Sequence, residues 1–243
     1  MTGYLYEDIF ARNILLWGVE AQERLRGSHI LLAGLGGVGS YIAEALARSG
    51  AGALTLIDHD RVEISNMNRQ LPAILPDLGR YKVRAAGERV VAINPACRLR
   101  LLEEFITADN AHMLGEADYY IDAIDYVPGK AAIINHALTL GKPVASAMGA
   151  GRRVAPERLR LADISQTAGC PLARELRRRL RALGIEKGVT VVYSEEAPRE
   201  NMAPAAAAGE GGKTPLGSCA FVAAVAGLLL ASAVIRDLAG LER

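Results

Sequence analysis

The sequence has 243 residues, 51% of them hydrophobic and 23% charged, with a formal net charge of +1. That composition supports a large core typical of a soluble protein, and the length suits a single α/β domain with additions. Near-neutrality excludes nucleic-acid binding through overall charge, so any such affinity must come from a local patch.

The three cysteines, Cys97, Cys170 and Cys219, lie far apart and form no CxxC pair. This argues against a zinc or disulfide scaffold and fits a reducing cytosol. The opening stretch MTGYLYEDIF is acidic where a secretory signal would be basic, so a cytoplasmic location is expected. Residues 5–26 read as an amphipathic helical segment with Ile9, Leu15, Leu16, Trp17 and Leu25 available for burial. Arg12 sits among them, and a solvated or snorkelling arginine is its plain reading.

His29 to Ala33 is a short apolar run, the pattern of a buried parallel strand. The turn Gly34-Leu35-Gly36-Gly37-Val38-Gly39 follows, then a helical pattern over Ser40 to Ser49, then a second apolar run, Ala53 to Ile57, that ends in Asp58. This is a βαβ unit with glycines where the strand turns tightly into the helix. They let backbone N–H groups approach an anion at a helix N-terminus. Asp58 is placed to accept hydrogen bonds from ribose hydroxyls. The motif says nucleotide without saying which.

Asp60 to Gln70 (DRVEISNMNRQ) is polar and aperiodic, and it leaves a strand at its carboxyl end, where open α/β sheets bind ligands. Asn66, Asn68, Arg69 and Gln70 supply donors there. Leu78 to Ile93 reads as a helix with Lys82 in its first turn, an electrostatically awkward place unless an anion is near. Arg69 and Lys82 together suggest a polyphosphate, although either alone fits ordinary surface charge. Arg98 to Phe105 reads as a strand, and Thr107 to Asn110 as the cap of a short helix. Tyr119 to Ile124 reads as the next strand, with Asp122 and Asp125 at its end. Two carboxylates beside a phosphate site suit Mg²⁺, and equally one of them caps the helix that Pro128 begins. Pro143 to Ala147 is the fifth strand, followed by Met148-Gly-Ala-Gly151.

The doubly wound pattern stops there. Strands are expected over Arg158 to Ile164 and Val189 to Ser194, with a helix over Pro171 to Leu183 between them. Leu172, Leu176, Leu180 and Leu183 line one face of that helix and Arg174, Arg177, Arg178 and Arg181 the other. Residues 152–187 carry ten basic and four acidic side chains, a local excess that suits a phosphate-backbone contact surface or simply a solvated face. The stretch 195–215 reads as a mobile loop that could close over a site. Cys219 to Ile235 is uncharged and near the shortest membrane span, but its small residues favour a buried helix.

Five features now fall in one order and spacing: Gly34-x-Gly36-Gly37-x-Gly39, Asp58-His59-Asp60, Ser65-Asn66-x-x-Arg69-Gln70, Lys82, and Asp122-x-x-Asp125. Together they resemble the adenylation domain of the ubiquitin-activating-enzyme superfamily, over about residues 5–150. The resemblance implies a Rossmann-like α/β fold: a doubly wound, largely parallel sheet with antiparallel C-terminal strands and a buried C-terminal helix. It implies one adenylating domain over 1–243, with a nucleotide-binding core at 28–150 and a substrate-side extension at 151–243. Its cofactors would be ATP and Mg²⁺. The glycine turn would pass under the nucleotide, Asp58 would hold the ribose, and Asp60 and Gln70 would lie close by. Asn66, Arg69 and Lys82 would contact the triphosphate, and Asp125, with Asp122 beside it, the Mg²⁺. Arg12 matches an arginine that reaches the partner's phosphates in homodimers of this kind.

The second half, with Ser165-Gln-Thr, Pro171-Leu-Ala-Arg-Glu-Leu-Arg and Leu216-Gly-Ser, is similar to the tRNA threonylcarbamoyladenosine dehydratase branch. That implies a tRNA carrying threonylcarbamoyladenosine as substrate, gripped by Arg174, Arg177, Arg178 and Arg181. Cys170 follows a flexible Ala-Gly, yet ring closure within a substrate needs no protein thiol, so no thioester is expected. Activators of ubiquitin-like sulfur carriers, with a sulfur-relay partner, are the nearest alternative; they usually carry two CxxC pairs, which this chain lacks. A nicotinamide oxidoreductase would not need Arg69, Lys82 and Asp125, and a nucleotide-binding regulatory subunit would not need the full set of charged site residues.

Overall fold

A computed structural model describes residues 5–202 and 215–241. Its helices in chain order are α1 (Tyr6–Ile9), α2 (Ala11–Trp17), α3 (Val19–Gly27), α4 (Gly39–Arg48), α5 (Lys82–Ile93), α6 (Val127–Thr139), α7 (Pro171–Ala182) and α8 (Ala220–Ala239). The strands are β1 (His29–Ala33), β2 (Ala53–Ile57), β3 (Arg98–Leu102), β4 (Tyr119–Asp122), β5 (Val144–Ala147), β6 (Leu159–Asp163) and β7 (Thr190–Ser194). They form one sheet in the order β3-β2-β1-β4-β5-β7-β6, parallel throughout except for the antiparallel β6–β7 pair. The chain winds outward from β1 in one direction to β3 and then in the other to β4. A crevice therefore opens above the carboxyl ends of β1 and β4, where such sheets bind ligands.

Strand side chains alternate between two cores, as the pleat requires. Ile30 and Leu32 of β1 pack with Leu25, Ile42, Leu46, Val83, Val90 and the α8 residues Val222, Leu230 and Val234. Leu31 and Ala33 face the other way, toward Ile133 and Ile134 of α6 and Leu176 and Leu180 of α7. Both sheet faces are covered, which is why β1 and β2 read as uninterrupted apolar runs.

The C-terminal helix belongs to the first of these cores. It is long and apolar enough to cross a membrane by length and composition, and half of it is buried inside the fold. Gly227 sits where α8 meets α4: a Cβ there would lie 2.5 Å from the Val38 carbonyl oxygen and 2.9 Å from Tyr41 Cβ. The two backbones approach because the residue has no side chain.

Several boundaries differ from the sequence expectation. The segment 5–26 is three short helices rather than one, broken at Gly18, whose φ of +85° no continuing helix adopts. Leu25 is buried as expected, but Leu15 and Leu16 are 77% and 78% exposed. The helix expected from Leu78 begins at Lys82, because Leu75–Asp77 is a 3-10 turn and Gly79 takes φ +79°. The strands expected to reach Phe105 and Ile124 stop at Leu102 and Asp122. Leu183 leaves the leucine face of α7, being half exposed just before Gly184 reverses the chain. Of the loop expected at 195–215, residues 203–214 lie outside the described residues. Its first part is tied down, with Glu195 N bonding Arg158 O and Arg199 N bonding Arg152 O.

Gly227→Val should force α8 off α4 and lower stability by about 1–3 kcal/mol, the usual cost of overpacking. Denaturant unfolding reads this as a lower midpoint at constant slope, and an unchanged midpoint would mean that α8 is not seated there.

Candidate nucleotide-binding active site

The glycines of the turn after β1 divide by role. Gly34 has φ +91°, and a Cβ on it would lie 2.7 Å from the backbone carbon and oxygen of Ala123. A Cβ on Gly39 would lie 1.8 Å from the Gly34 carbonyl oxygen. These two glycines let β1 turn into α4 hard against the end of β4. Gly36 is different: the nearest atom to its missing side chain is Gln70 Nε2 at 3.9 Å, so its outer face is open. Gly37 is backed by Ala223 of α8 and by the stem of Arg69.

Asp58 locks this turn to β2. Its Oδ2 accepts from Leu35 N at 2.6 Å and its Oδ1 from Asp60 N at 2.8 Å. Burial pushes its carboxyl above the ordinary range, against the opposing pull of Lys82 and the two N–H donors. Lys82 is buried at the start of α5, with Nζ 2.6 Å from Asp60 Oδ2. The anion that its position called for is thus already within the chain. Asn66 is buried too, with its Oδ1 accepting from Glu63 N at 3.3 Å. Gln70 is buried beside the turn, and its Oε1 has no hydrogen-bond partner.

Arg69 stands apart from these. Its Nη1 donates to Ser65 O and Asn68 Oδ1 at 2.9 and 2.8 Å, and it has no carboxylate partner among the described residues. Burial pushes its guanidinium below the ordinary range. A half-buried cation with only neutral acceptors, next to an open glycine, is a place for an anion.

The two aspartates after β4 do different jobs. Asp122 is fully buried, and its Oδ2 lies 2.6 Å from Ser146 Oγ and 2.9 Å from Lys130 Nζ. The sequence expectation put it beside Asp125 as a metal ligand; here its carboxylate is engaged by Lys130 and Ser146. Lys130, missed in the sequence, also donates to the carbonyls of Ile124 and Ala147 at 2.9 and 2.8 Å. It ties the loop carrying Asp125 to the end of β5. Asp125 itself is exposed, with no hydrogen bond or ion pair among the described residues, so its oxygens fit a hard cation such as Mg²⁺.

Arg12 is exposed on α2. Its neighbour Asn13 bonds the carbonyl of Arg48, at the end of α4 opposite the glycine turn, so the chain does not bring Arg12 to its own turn. A row of rings, His59, Phe105 and Tyr126, with centroids 4.8 and 4.9 Å apart, lies next to Asp58 and Asp125 and was also missed. These residues come from three separate loops, so no local pattern in the sequence announces them. The arginine face of α7 is narrower than expected. Arg177 bonds the backbone and hydroxyl oxygens of Thr167, and Arg178 pairs with Glu175 at 2.6 Å. Arg174, Arg178 and Arg181 are the exposed members. Cys97 and Cys170 are buried, and burial pushes the Cys97 thiol up to about 11.

With this geometry in view, comparison with known proteins is informative. The model of the ThiF family matches residues 10–243. The chain belongs to the ThiF family. It is 41% identical over 238 residues to the tRNA threonylcarbamoyladenosine dehydratase of Bacillus subtilis, covering 94% of each chain. The crystal structure of the Escherichia coli tRNA N6-threonylcarbamoyladenosine dehydratase in complex with ATP superposes with a TM-score of 0.87 at 35% identity, over 96% of this chain and 95% of that one. A sulfur carrier protein adenylyltransferase of Thermus thermophilus is 34% identical over 140 residues, covering 56% of this chain and 52% of its own. The Bacillus subtilis dehydratase thus matches over 94% of this chain and the sulfur carrier protein adenylyltransferase over 56%.

Lys130→Met should strand Asp122 as a buried unpaired carboxylate and cost about 3–5 kcal/mol of stability, with partial recovery in Lys130→Met/Asp122→Asn. Denaturant unfolding of both variants checks this. The ribose role of Asp58 predicts a pH dependence. A hydroxyl donating to the carboxylate favours its ionised form, while burial raises the pKa of the free site. Affinity for ATP should therefore be level above that raised pKa and fall as pH drops through it. The same acid loss in Asp58→Asn would take Asp58 out of the ribose contact.

Proposed function

We propose that this ThiF-family chain uses ATP to adenylate the threonyl carboxylate of threonylcarbamoyladenosine in tRNA and promotes its cyclisation. The carboxylate oxygen attacks the α-phosphorus, the bond to pyrophosphate breaks, and an acyl-adenylate forms. Attack from within the side chain on the activated carbonyl then expels AMP, and the net change in the nucleoside is loss of one water. Neither step needs a protein nucleophile. What they need is positive charge on the phosphates and placement of the two reactants.

The half-buried Arg69 guanidinium carries this reading, since it lacks a carboxylate and lies against Gly37 and beside the open face of Gly36. Lys82 and Asn66 would complete the triphosphate contacts, Lys82 by exchanging Asp60 for phosphate oxygens. Asp58 would hold the ribose, with the rings of His59, Phe105 and Tyr126 nearby to face the base. Mg²⁺, held through Asp125, would supply further positive charge on the departing pyrophosphate. Full-length similarity to the dehydratases, together with the lack of CxxC pairs, favours tRNA over a sulfur carrier and leaves a sulfur-relay partner out of this reading.

A homodimer fits two features of the N-terminal helices. Leu5, Leu15, Leu16 and Val19 are at least 62% exposed on adjoining segments, an apolar surface that a second copy would cover. Arg12 lies in the same region and would reach a partner's phosphates rather than its own. Arg174, Arg178 and Arg181 would meet the tRNA backbone. Such chemistry belongs in the cytoplasm, where tRNA and ATP are found.

Three outcomes are expected. The wild-type chain should release AMP from ATP only with tRNA carrying threonylcarbamoyladenosine, and mass spectrometry should find the nucleoside lighter by one water. AMP release with a Gly-Gly-terminated carrier instead of tRNA would overturn the substrate assignment. Arg69→Ala and Lys82→Ala should each lose about a hundredfold or more in kcat, the scale of a lost electrostatic contact in the transition state. Charge reversal at Arg174, Arg178 and Arg181 should raise KM for tRNA and flatten its salt dependence while leaving KM for ATP unchanged.

A further inference from the structure

Between Arg152–Val154 and Pro215–Cys219 lies a cavity of about 460 Å³, within the range that encloses a nucleoside-sized ligand. Its wall combines the apolar side chains Val154 and Leu216 with three arginines, Arg152, Arg153 and Arg199. Arg199 is already paired, its Nε lying 3.2 Å from Glu196 Oε1. The other two are not.

Arg153 is 3% exposed and has no carboxylate partner among the described residues. Its Nε and Nη1 donate to the carbonyls of Glu196, Gly149 and Gly151, and its Nη2 has no hydrogen-bond partner among the described residues. Glu196, whose carbonyl accepts from Arg153, turns its carboxylate to the N–H groups of Val154 and Ala155, and the one acid in the cavity wall among the described residues, Glu200, forms no ion pair with Arg152 or Arg153. A buried positive charge left without a counter-ion is costly, and a ligand anion would relieve that cost. Arg152 is the one non-glycine residue with positive φ among the described residues, at +58°. Its backbone is held from both sides, by Gly217 O at 2.7 Å and by Arg199 N at 2.8 Å. Its side chain makes no hydrogen bond or ion pair among the described residues. Backbone strain of this kind, fixed by the surroundings, marks a residue whose side chain is being aimed.

The cavity is also joined to the nucleotide site. Ser218, in its wall, accepts from Asn68 Nδ2 at 3.0 Å, and Asn68 Oδ1 holds Arg69. We propose that this cavity is the subsite for the modified nucleotide of the RNA substrate, that Arg152 receives an anionic oxygen group within it, and that the buried charge of Arg153 behind the wall favours that anion. That group is either the substrate carboxylate or an RNA phosphate flanking the modified base. The inference rests on the reading of the chain as a tRNA dehydratase and adds the residues that receive the RNA.

The test uses the full chain and an anticodon stem-loop RNA prepared with and without the threonylcarbamoyl group. Arg152→Gly removes the guanidinium at a position where glycine accepts the backbone, and Arg152→Asn is a second variant suited to the same φ. Leu216→Trp fills the cavity without touching a charge. All three should keep wild-type ATP affinity and lose stem-loop affinity, the arginine variants by roughly ten- to a hundredfold, as for a lost charged hydrogen bond. If Arg152 meets the carboxylate, its variants lose the preference for modified over unmodified RNA. If it meets a phosphate, both RNAs weaken equally. Unchanged stem-loop affinity in the variants, with a wild-type chain that still turns over modified tRNA, overturns the subsite alone. A wild-type chain that does not turn over modified tRNA overturns the function on which it rests.

Discussion

The Asp58 carboxylate joins the two halves of the nucleotide unit. By accepting from Leu35 N and Asp60 N it fixes the glycine turn to the end of β2. The turn can lie there only because Gly34 has no Cβ to strike Ala123 and Gly39 none to strike Gly34 itself. Once that contact is made, α4 is seated on the sheet, the open face of Gly36 points outward, and the chain beyond Asp58 emerges over the crevice. The position of every other site residue follows from it. The proposed ribose contact would use the same two oxygens.

Charge accounting then separates structural groups from those that await a ligand. Lys130 and Asp122 neutralise each other in full burial, and Lys82 is matched by Asp60. Arg69 has only neutral acceptors, and Arg153 is buried with an unpartnered nitrogen. Asp125, by contrast, is a free carboxylate at the same rim. With Arg152, whose side chain has no partner among the described residues, these groups suit a reaction that brings together a polyphosphate, a divalent cation and a carboxylate-bearing RNA.

The βαβ unit, the first five strands and the buried C-terminal helix were legible because each is written in local pattern: an apolar run, a glycine turn, a helical spacing. Boundaries were less so. Lys82 lies at the very start of its helix because Gly79 and the 3-10 turn before it take up the preceding residues. Nothing in the apolar spacing from Leu78 reveals that. Leu15 and Leu16 were misassigned for a related reason. A periodic apolar stripe says that a face seeks cover, and it does not say whether the chain's own core supplies it.

The sequence by itself determined the nucleotide unit and the identities of its polar residues, because strand, turn and helix are short-range consequences of side-chain size and backbone freedom. Only the tertiary structure decided which charges are spent. Asp122 and Asp125 are equivalent in the sequence, as are Arg177 and Arg174. Lys130 on α6 claims Asp122 at the end of β4, and Thr167 just before α7 claims Arg177. Electrostatic pairing acts through space over a few ångströms, so which carboxylate or guanidinium remains free for a ligand is settled only when the chain has folded.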